Sequence, residues 1–298
     1  MRTNRQTAWA VGAAAILVLF SPLRAEDEAF SRFQFFAGWA IGPSGAATTL
    51  DNHYDPNPGY PIPGSYARQA LQISPAAGRG FEAGLTYAFN RTLGLRISLD
   101  STAASLTGEN APFDFLYKYS NYFPFIDRPT ETFVSFTQDW PATAGVFRRA
   151  TGSLEIVLRW PVRPFLDLAV STGPALNVMG GEVFPLGYVE YRGSSHGGLF
   201  FRFDFLNLRL PLRTTAGWTA GIEAVLRVVD RLSIRVGAAW RTGGTYDSVP
   251  QVEMGYDSYQ LQELPAATLD LIRSTLVLPS LTLKPAPFRF GLDAVFGF

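Results

Sequence analysis

Two histidines set the limits on acid–base chemistry in this chain. His53 lies in LDNHYDPNPGYPIPG and His196 in RGSSHGG, next to Ser194 and Ser195. Hydrolytic catalysis needs a nucleophile or an activated water beside a base, with a third group orienting that base. A serine adjacent in sequence to a histidine does not supply this, because such groups are brought together by the fold. Asp51, Asn52, Asp55 and Asn57 offer oxygen ligands of the kind Ca²⁺ takes. Their spacing matches no calcium loop, and Asp, Asn and Pro together are ordinary turn formers. The chain has no Cys, which removes disulfides, thiolate metal sites and a catalytic thiol. The reading therefore assigns no catalytic residue, no metal and no cofactor, and expects a protein that is not an enzyme.

The ionisable residues that do show a pattern are spread along the chain at even spacing from apolar neighbours. They are Arg32, Arg96, Arg159, Arg227, Arg235, Arg241 and Arg289, with Glu82, Asp100, Glu155, Asp167, Glu223 and Asp293. Acidic and basic side chains in near balance and on one surface can pair as charge-assisted hydrogen bonds. Overall the 298 residues carry 25 basic and 25 acidic side chains, and formal net charge is zero. A nucleic-acid partner, which calls for a basic surplus, is not expected.

These charges must be held by strands. Eight segments alternate with a period of two: Arg32–Ile41, Gly80–Phe89, Leu93–Ser101, Thr151–Trp160, Phe165–Leu176, Ala216–Val228, Leu232–Arg241 and Phe288–Phe298. In Leu93–Ser101, Leu93, Leu95, Ile97 and Leu99 share one face, and Arg96, Ser98 and Asp100 the other. In Arg32–Ile41 the polar face also carries Phe36 and Gly38. Three connections are short, at Asn90–Thr92, Pro161–Pro164 and Val229–Arg231. Four are long, at Gly42–Arg79, Thr102–Ala150, Asn177–Thr215 and Thr242–Pro287. They alternate, so all short turns fall at one end. That sorting is expected of a transmembrane β-barrel with short periplasmic turns and long extracellular loops.

The apolar faces carry aromatics at both ends. Toward the short turns lie Tyr87, Phe89, Trp160, Phe296 and Phe298, and toward the long connections Trp39, Phe81, Trp218, Trp240 and Phe288. Ten steps of strand from Phe288 to Phe298, tilted near 40°, rise roughly 25 Å, the height of the apolar band of such a barrel. The expected architecture is all-β: an eight-stranded antiparallel transmembrane barrel, apolar outside, with an interior filled by paired charges. The turns predict that Arg235 is diagonal to Glu223 and to Arg227, that Arg159 lies opposite or next to Asp167, and that Glu82 is level with Asp100. Arg96 is the nearest candidate to neutralise that last pair.

Residues 1–25 read as a signal peptide: Arg2 and Arg5, an apolar run from Ala8 to Phe20, and a cleavage region ending at Ala25; an uncleaved anchor helix is the alternative. Residues 26–298 then form one barrel domain. Leu264–Leu276 suggests a short amphipathic helix after Pro265, and Leu199–Leu212 either a hairpin extending the barrel or two further strands. The aromatic stretch YKYSNYFPF from Tyr117 to Phe125 suits either packing between loops or contact with glycan, protein or lipopolysaccharide.

With its signal peptide, its strands, the stretch RPFLDLAVSTGPALN and the closing FRFGLDAVFGF, the chain resembles the small outer-membrane β-barrels of Gram-negative bacteria, the OmpA/OmpX/OmpW type. The resemblance is architectural and spans nearly the whole mature chain. It implies outer-membrane lipid and lipopolysaccharide as surroundings. It also implies recognition of a terminal aromatic signal, matched by Phe296 and Phe298, by the barrel-assembly machinery. The function it implies is structural or surface-interacting, with an extracellular ligand left unidentified; passage of small hydrophobic molecules is the alternative, and an enzyme acting on lipid a more distant one.

Overall fold

The computed structural model describes residues 32–57, 62–108, 112–121, 130–195 and 198–297. Residues 1–25, read above as a signal peptide, and His196 and Phe298 lie outside the described residues. The elements are β1 (Phe33–Gly42), β2 (Thr48–Tyr54), β3 (Tyr66–Pro75), β4 (Gly78–Ala88), β5 (Leu93–Gly108), β6 (Phe113–Asn121), β7 (Thr130–Gln138), β8 (Ala144–Arg163), β9 (Leu166–Ser195), β10 (Gly198–Val229), β11 (Leu232–Arg241), β12 (Tyr246–Ser248), β13 (Gln251–Asp257), helix α1 (Ala266–Thr275), β14 (Leu281–Leu283) and β15 (Phe288–Gly297).

Antiparallel pairing closes on itself. It runs from β1 to β4, β5, β8, β9, β10, β11 and β15, and returns to β1 through Gln34–Ile41 against Phe290–Gly297. No strand of this ring keeps an unpaired edge along that stretch, which removes the usual hazard of a sheet edge. At the short-turn end, backbone bonds from Ala88 N to Arg32 O and from Gly297 N to Arg231 O tie neighbouring strands together.

Within the ring, alternation turns apolar side chains outward and polar or small ones inward. On β5, Ile97 and Leu99 are exposed while Arg96, Ser98 and Asp100 are buried. On β8, Leu154, Ile156 and Leu158 are exposed, and Thr151, Ser153 and Glu155 buried. Trp39 is 72% exposed. Soluble monomers do not leave a contiguous apolar belt of this extent facing water.

Higher up the same strands, the apolar side changes. The inward face of β5 continues from Asp100 to buried Leu106, and that of β8 from Thr151 to buried Phe147. On β9 the inward face passes from Ser171, Ala175 and Asn177 to Met179 and Val183. On β10 a register shift between Leu210 and Arg213 carries the inward face from Thr219 to Leu210, Leu208 and Leu206, all buried. These residues join Leu50, Leu71, Tyr246, Leu269, Ile272 and Leu281 in a second, conventional hydrophobic core above the ring.

That upper core is a folded cap. The expected long connection Asn177–Thr215 is mostly strand: β9 and β10 run on as one extended hairpin to Ser195 and Gly198, so Leu199–Leu212 adds no separate pair. The other long connections carry the β2–β3 and β6–β7 hairpins, β13 against the upper part of β10, and α1. Helix α1 starts directly after Pro265 and buries Leu269 and Ile272. Phe115, Phe136 and Phe201 stack or meet edge-on at 4.7–4.8 Å in a second, aromatic layer.

Gly84 tests the packing of the ring directly. A Cβ there would lie 2.4 Å from Cζ of Phe36 and 2.3 Å from the Ile97 carbonyl oxygen. Gly84→Leu should lower unfolding stability by about 3 kcal/mol or prevent folding, as overpacking does. A wild-type urea midpoint for that variant would contradict this packing.

Candidate functional site

The interior of the ring is an ion-pair network around one aromatic ring. Phe36 is 1% exposed and projects inward from β1. The Arg235 guanidinium from β11 lies over its face, 3.7 Å from the ring centroid, and Arg96 from β5 approaches it at 5.4 Å. A desolvated guanidinium over an aromatic face is held by the ring's quadrupole.

Each of these guanidiniums is also saturated with carboxylates. Arg235 Nη2 bonds Glu82 Oε1 at 3.0 Å and lies 2.8 Å from Asp293 Oδ2, and its Nη1 lies 3.7 Å from Glu223. Arg96 holds both oxygens of Glu223, one at 2.7 Å, and lies 3.5 Å from Glu155. Glu155 also accepts hydrogen bonds from Ser153 at 2.5 Å and Ser98 at 3.3 Å. Arg241 bonds both oxygens of Asp100, at 2.9 and 2.5 Å. These contacts cross from one wall of the ring to the other.

Glu82 and Asp100 are level across β4 and β5. Arg96 does not neutralise them. Four residues of strand, about 13 Å, separate Arg96 from Asp100, and its guanidinium is engaged with Glu223 and Glu155 instead. The neutralising groups come from β11 and β15: Arg235 on Glu82, Arg241 on Asp100, and Arg289 with its Nη1 2.5 Å from Glu82 and 3.7 Å from Asp100.

The remaining predicted charges stand outside the network. Among the described residues Arg32, Arg159, Asp167 and Arg227 make no ion pair within 4.0 Å. Arg32 and Arg227 are exposed near the short turns, where water replaces a partner. Arg159 pairs in register with Ala169, and Asp167 with Pro161, so those two are diagonal neighbours.

The aromatic residues divide by level. Trp39, Phe81, Trp218, Trp240 and Phe288 are exposed toward the cap, and Phe89, Trp160 and Phe296 toward the short turns. Tyr87 is half-buried between Phe33 and Phe89, with centroids 5.0 and 5.2 Å away.

The cap holds the groups with other chemistry. His53 is exposed on β2, its ring edge-on to Tyr66 at 5.9 Å. Asp51 is paired with Arg68 at 3.1 Å on the surface, whereas neighbouring Asn52 is buried. Asp55 accepts the Asn57 backbone N–H at 2.8 Å in a turn. These oxygens do not converge. Of the aromatic stretch, Tyr117 stacks on Tyr191 at 4.8 Å inside the cap; Tyr122, Phe123 and Phe125 lie outside the described residues.

Sequence reasoning missed a buried polar seam between β9 and β10. Asp204 is fully buried and accepts from Arg202 Nε at 2.6 Å, and Arg202 Nη2 bonds Glu190 at 3.0 Å. Burial pushes the Asp204 carboxyl up to about 6, against the pull of Arg202. Burial raises Glu190 in the same direction. Arg202 and Asp204 sit two apart in the alternating stretch Leu199–Leu212, a signal like that of the ring.

Solved structures that resemble this one include the following three. The outer membrane protein OprG from Pseudomonas aeruginosa is 7% identical, with 90% of this chain and 96% of that chain covered and a TM-score of 0.45. The attachment invasion locus protein Ail of Yersinia pestis is 11% identical, with 88% and 98% covered and a TM-score of 0.32. The outer membrane protease OmpT from Escherichia coli is 10% identical, with 92% and 99% covered and a TM-score of 0.40. The structures it resembles are outer-membrane proteins. No family model matches the chain, and no curated protein matches it.

Two outcomes follow from the charges. Arg235→Ala strands Asp293 in the interior and leaves Glu82 with Arg289 alone, and should cost about 3–5 kcal/mol of unfolding stability; an unchanged urea midpoint would remove the network as a stabilising element. In the cap, Asp204 has a folded pKa of about 6 against an ordinary 3.8. The folded state therefore holds the proton more tightly, and stability falls as pH rises from about 4 to 6, by on the order of 3 kcal/mol in total. Asp204→Asn should flatten that slope, read as amide exchange of the β9–β10 hairpin against pH; an identical slope in the variant would assign it to another group.

Proposed function

We propose that this chain is an eight-stranded β-barrel of a Gram-negative outer membrane, with a closed, charge-filled lumen and a folded extracellular cap. Its role on this reading is structural or surface-interacting, not enzymatic. The observation that carries it is the switch of the apolar side on β5, β8, β9 and β10: outward in the ring, inward in the cap. An element immersed in lipid below and water above has that requirement, because apolar surface is stable only away from water. An interior this narrow is filled by its own side chains, and the network around Arg235 leaves it crossed by ion pairs. The cap, with its own core, is the surface available to an extracellular partner, and the short-turn end faces the periplasm. Export by residues 1–25 and assembly through Phe296 and Phe298 belong to the same reading.

A charge on the lipid face should be far worse than one on the cap surface. Ile97→Arg should destabilise the bilayer-inserted protein by about 2–4 kcal/mol, and Ser105→Arg, further along the same strand, by less than about 0.5 kcal/mol. Equal effects would sink the lipid assignment. In planar bilayers the purified protein should show no steady conductance; a stable open channel of defined size would replace the closed reading with that of a passage.

A further inference from the structure

The outward aromatics at the cap end of the ring leave a gap. β1, β4, β10, β11 and β15 each turn one outward there: Trp39, Phe81, Trp218, Trp240 and Phe288, all exposed. The strands between β4 and β10 do not. On β5 and β8 the outward residues of this level are Ser101, Ala103, Ala150 and Gly152. A Cβ built on Gly152 would meet only Leu99 Cδ2 within 4 Å, at 3.3 Å, so that stretch of surface is low and open.

Two arginines border the gap. Arg79 on β4 and Arg148 on β8 are exposed, and both stand level with Ala103 of β5, one on each side. Two strand spacings put their Cα atoms roughly 10 Å apart, so two guanidiniums can reach one anion above Ala103. Alternation sets Arg79 on the side of exposed Phe81, and Arg148 on that of exposed Leu154. Among the described residues neither arginine makes an ion pair within 4.0 Å. The acid of that face nearest in register, Glu182 on β9, is level with Val146 and with Arg209, which balances it.

Arginines at headgroup level attract anionic lipid, and a guanidinium fork matches the oxygens of a phosphate. An aromatic side chain at the rim occupies the level of the headgroups. Where it is replaced by Ala and Gly, a lipid can come against the strand itself.

We propose that the outward face of β4, β5 and β8 binds a lipid with a phosphate monoester headgroup. Its phosphate lies between Arg79 and Arg148, and an acyl chain lies over Ala103, Ala150 and Gly152. The site rests on the barrel reading, because it needs that face in a bilayer, and adds a lipid-selective position to it.

The test reconstitutes the full-length mature protein into phosphatidylcholine vesicles carrying a minor fraction of phosphatidic acid. Vesicles are floated on a density gradient, the protein is extracted in mild detergent, and the lipids it retains are counted by native mass spectrometry. Retained phosphatidic acid should exceed its share of the bilayer by about tenfold or more. Arg79→Gln combined with Arg148→Gln should remove most of that excess, and the two lysine substitutions should keep part of it. Ala150→Trp, which covers the gap without altering charge, should also lower it. Each variant is scored once its heat-modifiable gel shift shows it folded. Protein that floats but retains no excess, or an excess unchanged in both the double Gln variant and Ala150→Trp, would overturn the site and leave the barrel standing. Protein that does not float would overturn the barrel reading and the site with it. Phosphatidylglycerol retained as well as phosphatidic acid would overturn the monoester assignment, and displacement by inorganic phosphate would overturn the lipid assignment.

Discussion

Arg235, lying over Phe36 and bonded to Glu82 and Asp293, is the contact on which the rest of the structure depends. A ring this narrow has to be filled, and its strands offer mostly small and charged residues for the purpose. Charges can be buried only when paired and hydrogen-bonded, so each guanidinium must reach carboxylates on other strands. Arg235 draws β4, β11 and β15 together, and β10 through the longer approach to Glu223. Arg96 joins β5 to β10. The glycines follow from the same demand: Gly84 makes room for Phe36, and Gly38 for Asp293.

Filling the interior with charge commits the apolar residues to the outside. That is unstable in water and stable in lipid. Above the ring the outer surroundings change, and so does the pattern on each long strand. The cap then resembles a soluble domain, with Leu186, Leu206, Ile272 and Leu281 inside and Arg148 and Arg209 exposed. One set of strands thus passes through two solvents, and the level of the change can be read from the side chains.

Much of this was legible because strand periodicity is rigid. A period of two fixes which residues share a face, and a short turn fixes the register across it. The level pair Glu82–Asp100 and the diagonal of Arg235 to Glu223 both follow from three-residue turns. Partners across the ring were not legible, since they depend on its curvature rather than on neighbouring registers. Hence Arg96, the nearest candidate by sequence for Glu82 and Asp100, turns to Glu223 and Glu155 instead. The cap was hidden for a different reason. Its strands β2, β3, β6 and β7 sit among turn-forming residues, and register shifts near Leu206 and Leu210 break the alternation of β10. The alternation of Leu199–Leu212 points to a hairpin there, but not to its burial or to the pairing of Arg202 with Asp204 and Glu190.

The apolar side of each long strand changes from lipid to cap core near the level of Asn177. Spin labels placed singly along β9 from Leu166 to Leu186, in bilayer-inserted protein, test it through collision with oxygen and with a water-soluble nickel chelate. High oxygen and low nickel accessibility are expected at Leu168, Val170 and Leu176, low accessibility to both probes at Ser171 and Ala175, and, beyond Met179, nickel rather than oxygen dominating at exposed Phe184. Oxygen accessibility that keeps the same alternation through Leu186, or nickel accessibility at Leu168 and Val170, would contradict it.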